Sequence, residues 1–162
     1  MPRGKRDVTK LRNYTSAISV QQTLSEIDEL LLANNSSGIS KVFRDGEVIE
    51  IVFTIKDQDG YQLNVQISVD IESVKQVLID EMQSSRSRKI RSDSLNNIEE
   101  QAKRTAWRLQ YEMLSIQMSA IKLKQMKVDQ VFFANIISQN GTTIYSALSS
   151  GKTKLLGLTH EK

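Results

Sequence analysis

Cysteine is absent from this chain of 162 residues, and histidine occurs once, as His160 close to the C-terminus. No disulfide, thiol nucleophile or thiolate metal site can therefore form. A serine or cysteine nucleophile working with a histidine base is excluded on the same ground, as is zinc held by histidine and cysteine. Long apolar runs are missing too: none approaches the roughly 20 residues that span a bilayer. The N-terminal "MPRGKRDVTKLRNYT" is basic but lacks the apolar stretch of a signal peptide. These absences lead to the expectation of a cytoplasmic protein with no membrane partner, no cofactor and no metal.

What the chain does have is an ordinary globular composition, 39% hydrophobic and 25% charged, over a length that supports one domain with a real core. Its net charge of +3 hides a separation of charge. Residues 1–13 hold five cations, Arg3, Lys5, Arg6, Lys10 and Arg12, against Asp7. Residues 84–94, "SSRSRKIRSDS", hold four, Arg86, Arg88, Lys89 and Arg91, against Asp93. The rest of the chain carries 13 cations and 17 anions. Positive charge is thus concentrated in two polar segments on a mildly acidic body, which suits a polyanionic partner. The plainer reading is two solvated segments that aid solubility.

Periodicity outlines the elements. Val20, Leu24, Ile27 and Leu31 make a helical stripe, Ser19 with Gln22 three residues on has the pattern of a capping box, and "NNSSG" ends the helix. Asp45-Gly46 and Asp59-Gly60 are turn signals between segments of period two. Ile49, Ile51, Phe53 and Ile55 form one inward row, and Tyr61, Leu63, Val65, Ile67 and Val69 another. The pattern predicts a three-stranded antiparallel meander over 39–69, with a polar face of Thr54, Lys56, Gln62, Asn64, Gln66 and Ser68 that is most simply left in water. A short helix is expected over 71–83, with Val74, Leu78 and Met82 on one side. Beyond it a long helix is expected from about Asn97 to Lys124.

That long helix has two apolar stripes. One runs through Ala102, Ala106, Leu109, Met113, Ile116, Ala120 and Leu123, the other through Trp107, Tyr111, Leu114, Met118 and Ile121. At 3.6 residues per turn their centres lie about 140° apart, so both need burial. The second stripe is expected to pack within the chain or, alternatively, to join a second subunit. A short amphipathic helix is expected after Asp129, and an Asn-Gly turn opens "NGTTIYSAL". The fold class is therefore α+β: a three-stranded antiparallel meander packed against an N-terminal helix and a long C-terminal helix. Residues 1–14 are expected to be a basic flexible arm, 15–148 a single domain with a basic inter-helix linker at 84–96, and 149–162 a flexible tail.

Catalytic patterns fail when tested. "SGKT" at 150–153 ends like a phosphate-binding P-loop, but Ser146 stands where the pattern needs glycine, and no helix has room to follow. Glu99-Glu100, Asp57 with Asp59, and Asp80-Glu81 occupy helix starts, a turn and an exposed helix end, where carboxylates cap and solvate. Asp57 and Asp59 lack the other ligands of a calcium loop. No catalytic residue is assigned and the protein is not expected to be an enzyme. Binding remains. Arg104, Arg108 and Lys122 share one arc of the long helix, and with the basic arms they would offer phosphate contacts. Trp107 and Tyr111 would stack on bases if exposed, although helical spacing of aromatics usually means core.

The order of elements resembles a family of small phage- and prophage-type accessory proteins. The stretches that carry the likeness are "TSAISVQQTLSEIDELLLANNSSGI", "RDGEVIEIVFTI", "QAKRTAWRLQYEMLSIQMSAI" and "VDQVFFANIISQNGTTIY". Residues 70–96 depart from it, being more helical and more basic. The resemblance implies an accessory role, in the host cytoplasm if phage-encoded, and no catalytic motif. The expected function is sequence-nonspecific binding of single-stranded nucleic acid through Arg3, Lys5, Arg6, Arg12, Arg86, Arg88, Lys89, Arg91, Arg104, Arg108 and Lys122. Two alternatives stay open. One is a protein that sequesters a host factor or a small nucleotide signal at an oligomer interface; the other is a structural oligomer of a viral assembly. In either, a homo-oligomer would form through the Trp107, Tyr111, Leu114 and Met118 face.

Overall fold

The computed structural model of the protein describes residues 16–85 and 92–151. In chain order the elements are α1 (Val20–Ala33), β1 (Ser37–Arg44), β2 (Glu47–Lys56), β3 (Gln62–Ser68), α2 (Ile71–Ser85), α3 (Ser92–Lys122), α4 (Val128–Phe132), a 3-10 turn (Phe133–Asn135) and α5 (Ile144–Ser149). The strands form one antiparallel sheet in the order β1-β2-β3. The fold is α+β, with the three-stranded meander, N-terminal helix and long later helix that the sequence pattern predicts. The chain divides into two compact units, Met1–Ile27 with Val69–Leu114 and Asp28–Ser68 with Ser115–Lys162.

In the first unit, α1 starts where Ser19 Oγ accepts the Gln22 backbone N–H at 3.1 Å. The Gln22 side chain donates to Glu26 at 3.2 Å, so only half of the predicted capping box is made. Asp70 caps α2 by accepting the Ser73 backbone N–H at 3.0 Å and the Ser73 hydroxyl at 2.6 Å. Those two bonds hold its carboxyl below the ordinary aspartate range. Leu78 of α2 packs with Ile98 and Ala102 of α3, and Ile71, Val74 and Ile79 close around them. Met82, expected on the same side as Val74 and Leu78, is exposed. Because α2 runs to Ser85 and α3 begins at Ser92, helix takes both ends of the predicted linker, and residues 86–91 lie outside the described residues.

In the second unit, Asp45 and Gly46 both have positive φ, +52° and +81°, between the paired residues Arg44 and Glu47. This is the two-residue hairpin turn whose twist matches that of the strands. The β2–β3 connection is longer: Asp57 Oδ1 accepts the backbone N–H groups of Asp59 at 2.9 Å and Tyr61 at 2.8 Å. Two irregularities interrupt the β1–β2 ladder. At the first, β1 carries an extra residue beside Gly38, whose φ is +60° and whose missing Cβ would lie 3.3 Å from Thr54 Oγ1. At the second, Val42 faces Glu50 but Phe43 faces Val48, leaving Ile49 unmatched. A bulge shifts side-chain alternation by one residue. Ile51, Phe53 and Ile55 are buried as predicted, but the next inward place goes to Val48, and Ile49 is only half-buried. Phe53 meets Phe132 edge to face, with ring centroids 5.6 Å apart.

The polar sheet face bonds across its own strands, Thr54 to Asn64 at 2.8 Å and Gln66 to Glu50 at 3.0 Å. The two sheet edges differ. Along β3, Ile136 bridges to Val65, the Ile137 N–H donates to the Asn64 carbonyl at 2.8 Å, and the Asn135 side chain donates to the Gln66 carbonyl at 3.0 Å. The outer edge of β1 has no backbone partner among the described residues.

Candidate functional site

α3 separates the side chains that can reach a partner from those that cannot. Along the Trp107 stripe, Trp107 is 1% exposed, Leu114 and Met118 are buried, and Tyr111 and Ile121 are half-buried. Trp107, Leu114 and Met118 are each removed from solvent within the chain, which is the intrachain packing expected as one of two placements for this stripe. Tyr111 is covered by the Arg108 guanidinium, whose Cζ lies 4.5 Å from the ring centroid, a cation–π contact. The other stripe is buried at Ala102 and Ala106 and then emerges, with Ile116 65% and Leu123 69% exposed. The expectation that both stripes are buried along their length therefore fails over the second half of one of them. Trp107, Leu114 and Met118 bring far more apolar volume to a core than alanine does, so their stripe turns inward.

The cations divide in the same way. Arg108 donates to Glu26 in an ion pair that most of both side chains shields from solvent. Lys103 holds Glu99 at 3.4 Å and Glu100 at 3.0 Å, and Lys75 reaches Glu99 at 3.6 Å. Lys103, through its hydrogen bond and its charge, and then the charge of Lys75, hold the Glu99 carboxyl below its ordinary value. Lys41 donates to Asp28 at 2.6 Å. Arg104 is half-buried, with its Nε enclosed and lacking a hydrogen-bond partner. Of the predicted contacts on the long helix, Lys122 alone is exposed.

Lys122 opens a run in which every residue through Lys127 is exposed. None of Lys122, Lys124 and Lys127 has an ion pair with a described residue. The turn that presents them is a Schellman motif. The Lys124 N–H donates to Ile121 and the Gln125 N–H to Ala120, both at 2.9 Å, with Lys124 at φ +56°. Lys124 and Lys127 are missing from the sequence expectation, although "KLKQMK", three lysines in six residues without an acid, carries the signal. Arg3, Lys5, Arg6, Arg12, Arg86, Arg88, Lys89 and Arg91 lie outside the described residues.

A second feature lies between α1 and β1, within the second unit. Asp28, Leu32, Gly38, Ile39, Lys41 and Phe43 line an open groove of about 450 Å³. Leu32 and Phe43 stand exposed on it, at 62% and 63%. Asp28 Oδ2 takes the Lys41 ammonium, while Oδ1 has no hydrogen-bond partner.

Among the described residues no cluster of three or more histidine, cysteine, aspartate or glutamate side chains could hold a metal ion. No described helix is long and apolar enough to cross a membrane. Comparison with protein-family models, with curated proteins and with solved structures finds no match to this chain.

Proposed function

We propose that the protein is a non-enzymatic accessory protein of the phage type that binds single-stranded nucleic acid electrostatically, without reading sequence. The observation that supports this is the division between paired and unpaired positive charge. Lys41, Lys75, Lys103 and Arg108 are each held by carboxylates. Lys122, Lys124 and Lys127 are exposed together, and the two densest basic segments, 1–13 and 84–94, flank a stretch, 16–83, with 12 carboxylates and four cations. Phosphates are drawn to clusters of unpaired cations, and release of their counterions drives the association. The phosphate contacts expected of Arg108 move to the end of α3, because a guanidinium already shared by Glu26 and Tyr111 gains less from a phosphate.

The test is fluorescence anisotropy of a labelled oligothymidylate against the full chain as salt is raised from about 50 to 200 mM, where each phosphate contact contributes to a steep loss of affinity. Replacing Lys122, Lys124 and Lys127 together by glutamine should lower the slope of log K against log salt by about 2, the sum for three single-strand contacts. Replacing Arg86, Arg88, Lys89 and Arg91 should lower it further. Absence of binding at low salt, or a slope indifferent to both sets of changes, overturns the reading.

A further inference from the structure

We infer that Phe133 and Tyr145 form the base-stacking platform of the nucleic-acid site, an assignment that rests on the function proposed above. Exposed aromatic rings offer a face to any unstacked base and so add affinity without reading sequence. Trp107, which would stack only if exposed, is buried, and Tyr111 lies under the Arg108 guanidinium.

Both rings are turned outward on anchored backbone. Phe132 is buried edge to face against Phe53. A helical step rotates the chain by about 100°, so the next side chain, Phe133, leaves the core and is 52% exposed. The 3-10 turn that it opens is fixed to the sheet, where the Asn135 side chain donates to the Gln66 carbonyl and Ile136 bridges to Val65. Tyr145 is 67% exposed and belongs to α5, which packs against that turn. The Ile144 N–H donates to the Ile136 carbonyl at 2.9 Å and ties α5 to the end of the turn. With the backbone already held, little ordering is left to oppose a stacked base.

A single exposed aromatic is ordinary on a protein surface; the charge in this part of the chain selects the occupant. Residues 115–160, all within the second unit, carry five lysines, Lys122, Lys124, Lys127, Lys152 and Lys154, against one carboxylate, Asp129. Lys127 stands at the N-cap of α4, and the helix leads straight into Phe133. At about 1.5 Å per residue the two lie about 9 Å apart along the axis, so cation and ring can meet the phosphate and base of neighbouring nucleotides. Cations serve the phosphates, and exposed rings serve bases that a duplex would keep stacked on one another. A second copy of this chain is the poorer occupant, since it would set two groups of lysines against each other with one carboxylate in each to offset them.

The experiment compares an oligothymidylate with an abasic oligomer of equal phosphate count, by anisotropy against the full chain at fixed salt. The oligothymidylate should bind about tenfold more tightly. Phe133→Leu and Tyr145→Leu keep bulk but lose the ring, and each should weaken oligothymidylate binding about fivefold. Neither should alter binding of the abasic oligomer or the slope of log K against log salt, because no charge is removed. Phe133→Tyr and Tyr145→Phe keep a ring and should retain the affinity of the unchanged chain. Circular dichroism should be the same for all four variants, both positions being exposed. Equal affinity for the two oligomers, or leucine variants that bind as the unchanged chain does, would overturn the stacking assignment and leave salt-dependent binding standing. Absence of binding to either oligomer would overturn both. A dimer in light scattering that Phe133→Leu dissolves would also overturn the assignment, because the rings would then belong to a second copy.

Discussion

Arg108 and Glu26 lie 82 residues apart in the chain, and the guanidinium of one donates directly to the carboxylate of the other. The pair fastens the first half of α1 to α3 within the first unit. Arg108 also covers the Tyr111 ring, so one side chain joins an ion pair to an aromatic contact.

Breaking that pair from either side should destabilise the protein. Both side chains are mostly shielded, 19% and 28% exposed, so the partner left behind loses a charged hydrogen bond without regaining full hydration. Glu26→Gln and Arg108→Gln should each lower the unfolding free energy by about 2 kcal/mol in urea titrations. The double substitution should cost less than the sum of the two. Strict additivity would show that the pair contributes nothing.

Trp107 is the only tryptophan and therefore a clean optical probe. Its burial predicts blue-shifted emission that resists quenching by acrylamide and does not change when oligothymidylate is added. Trp107→Ala should cost about 3–5 kcal/mol, the range for emptying a large aromatic site in a core. Quenching of the emission by oligonucleotide would place the indole at the ligand.

Lys124 occupies the left-handed position that glycine usually fills at a helix C-terminus. Lys124→Gly should stabilise the protein by about 1 kcal/mol, raising the melting temperature by about 3 °C. Lys124→Gln removes the same charge but keeps the unfavourable φ, and should leave the melting temperature nearly unchanged. In phosphate binding the two variants should weaken affinity alike.

Glu99 predicts the acid response of the first unit. Lys103, then Lys75, hold its carboxyl below the ordinary glutamate value of 4.5. A folded-state value below the unfolded one means that the stabilisation is complete above pH 4.5 and is lost as pH falls through the folded-state value. Glu99→Gln should therefore flatten the decline in urea midpoint between about pH 6 and pH 3. An equally steep decline in the variant would assign the acid sensitivity to other carboxylates, Asp70 first among them, since its bonds to Ser73 shift it in the same direction.

The local elements were legible because their signals are local. Asp45-Gly46 announces a two-residue turn, Ser19 a helix start and "NNSSG" a helix stop, each through backbone chemistry complete within a few residues. Ile49 was misplaced because a bulge depends on how two strands pair, and one strand's alternation does not show it. The choice between the two stripes of α3 is a tertiary matter: both have the right period, and bulk decides which one the core takes. The partners of Arg108 and Lys41 were hidden for the same reason, since Glu26 and Asp28 are distant in sequence. Which cations stay unpaired, Lys124 and Lys127 rather than Arg108, is therefore set by tertiary contacts that no local pattern shows.

The short pairing of Ile136 and Ile137 with β3 also fixes a count. A sheet closed on one side grows only on the other, and a single added strand then becomes its new margin. A strand added at β1 would pair one to one with the chain unless it carried an unpaired edge of its own. A chain cut short before Asn135 would lose that stopper and could be extended from both sides, which is the geometry of a fibre.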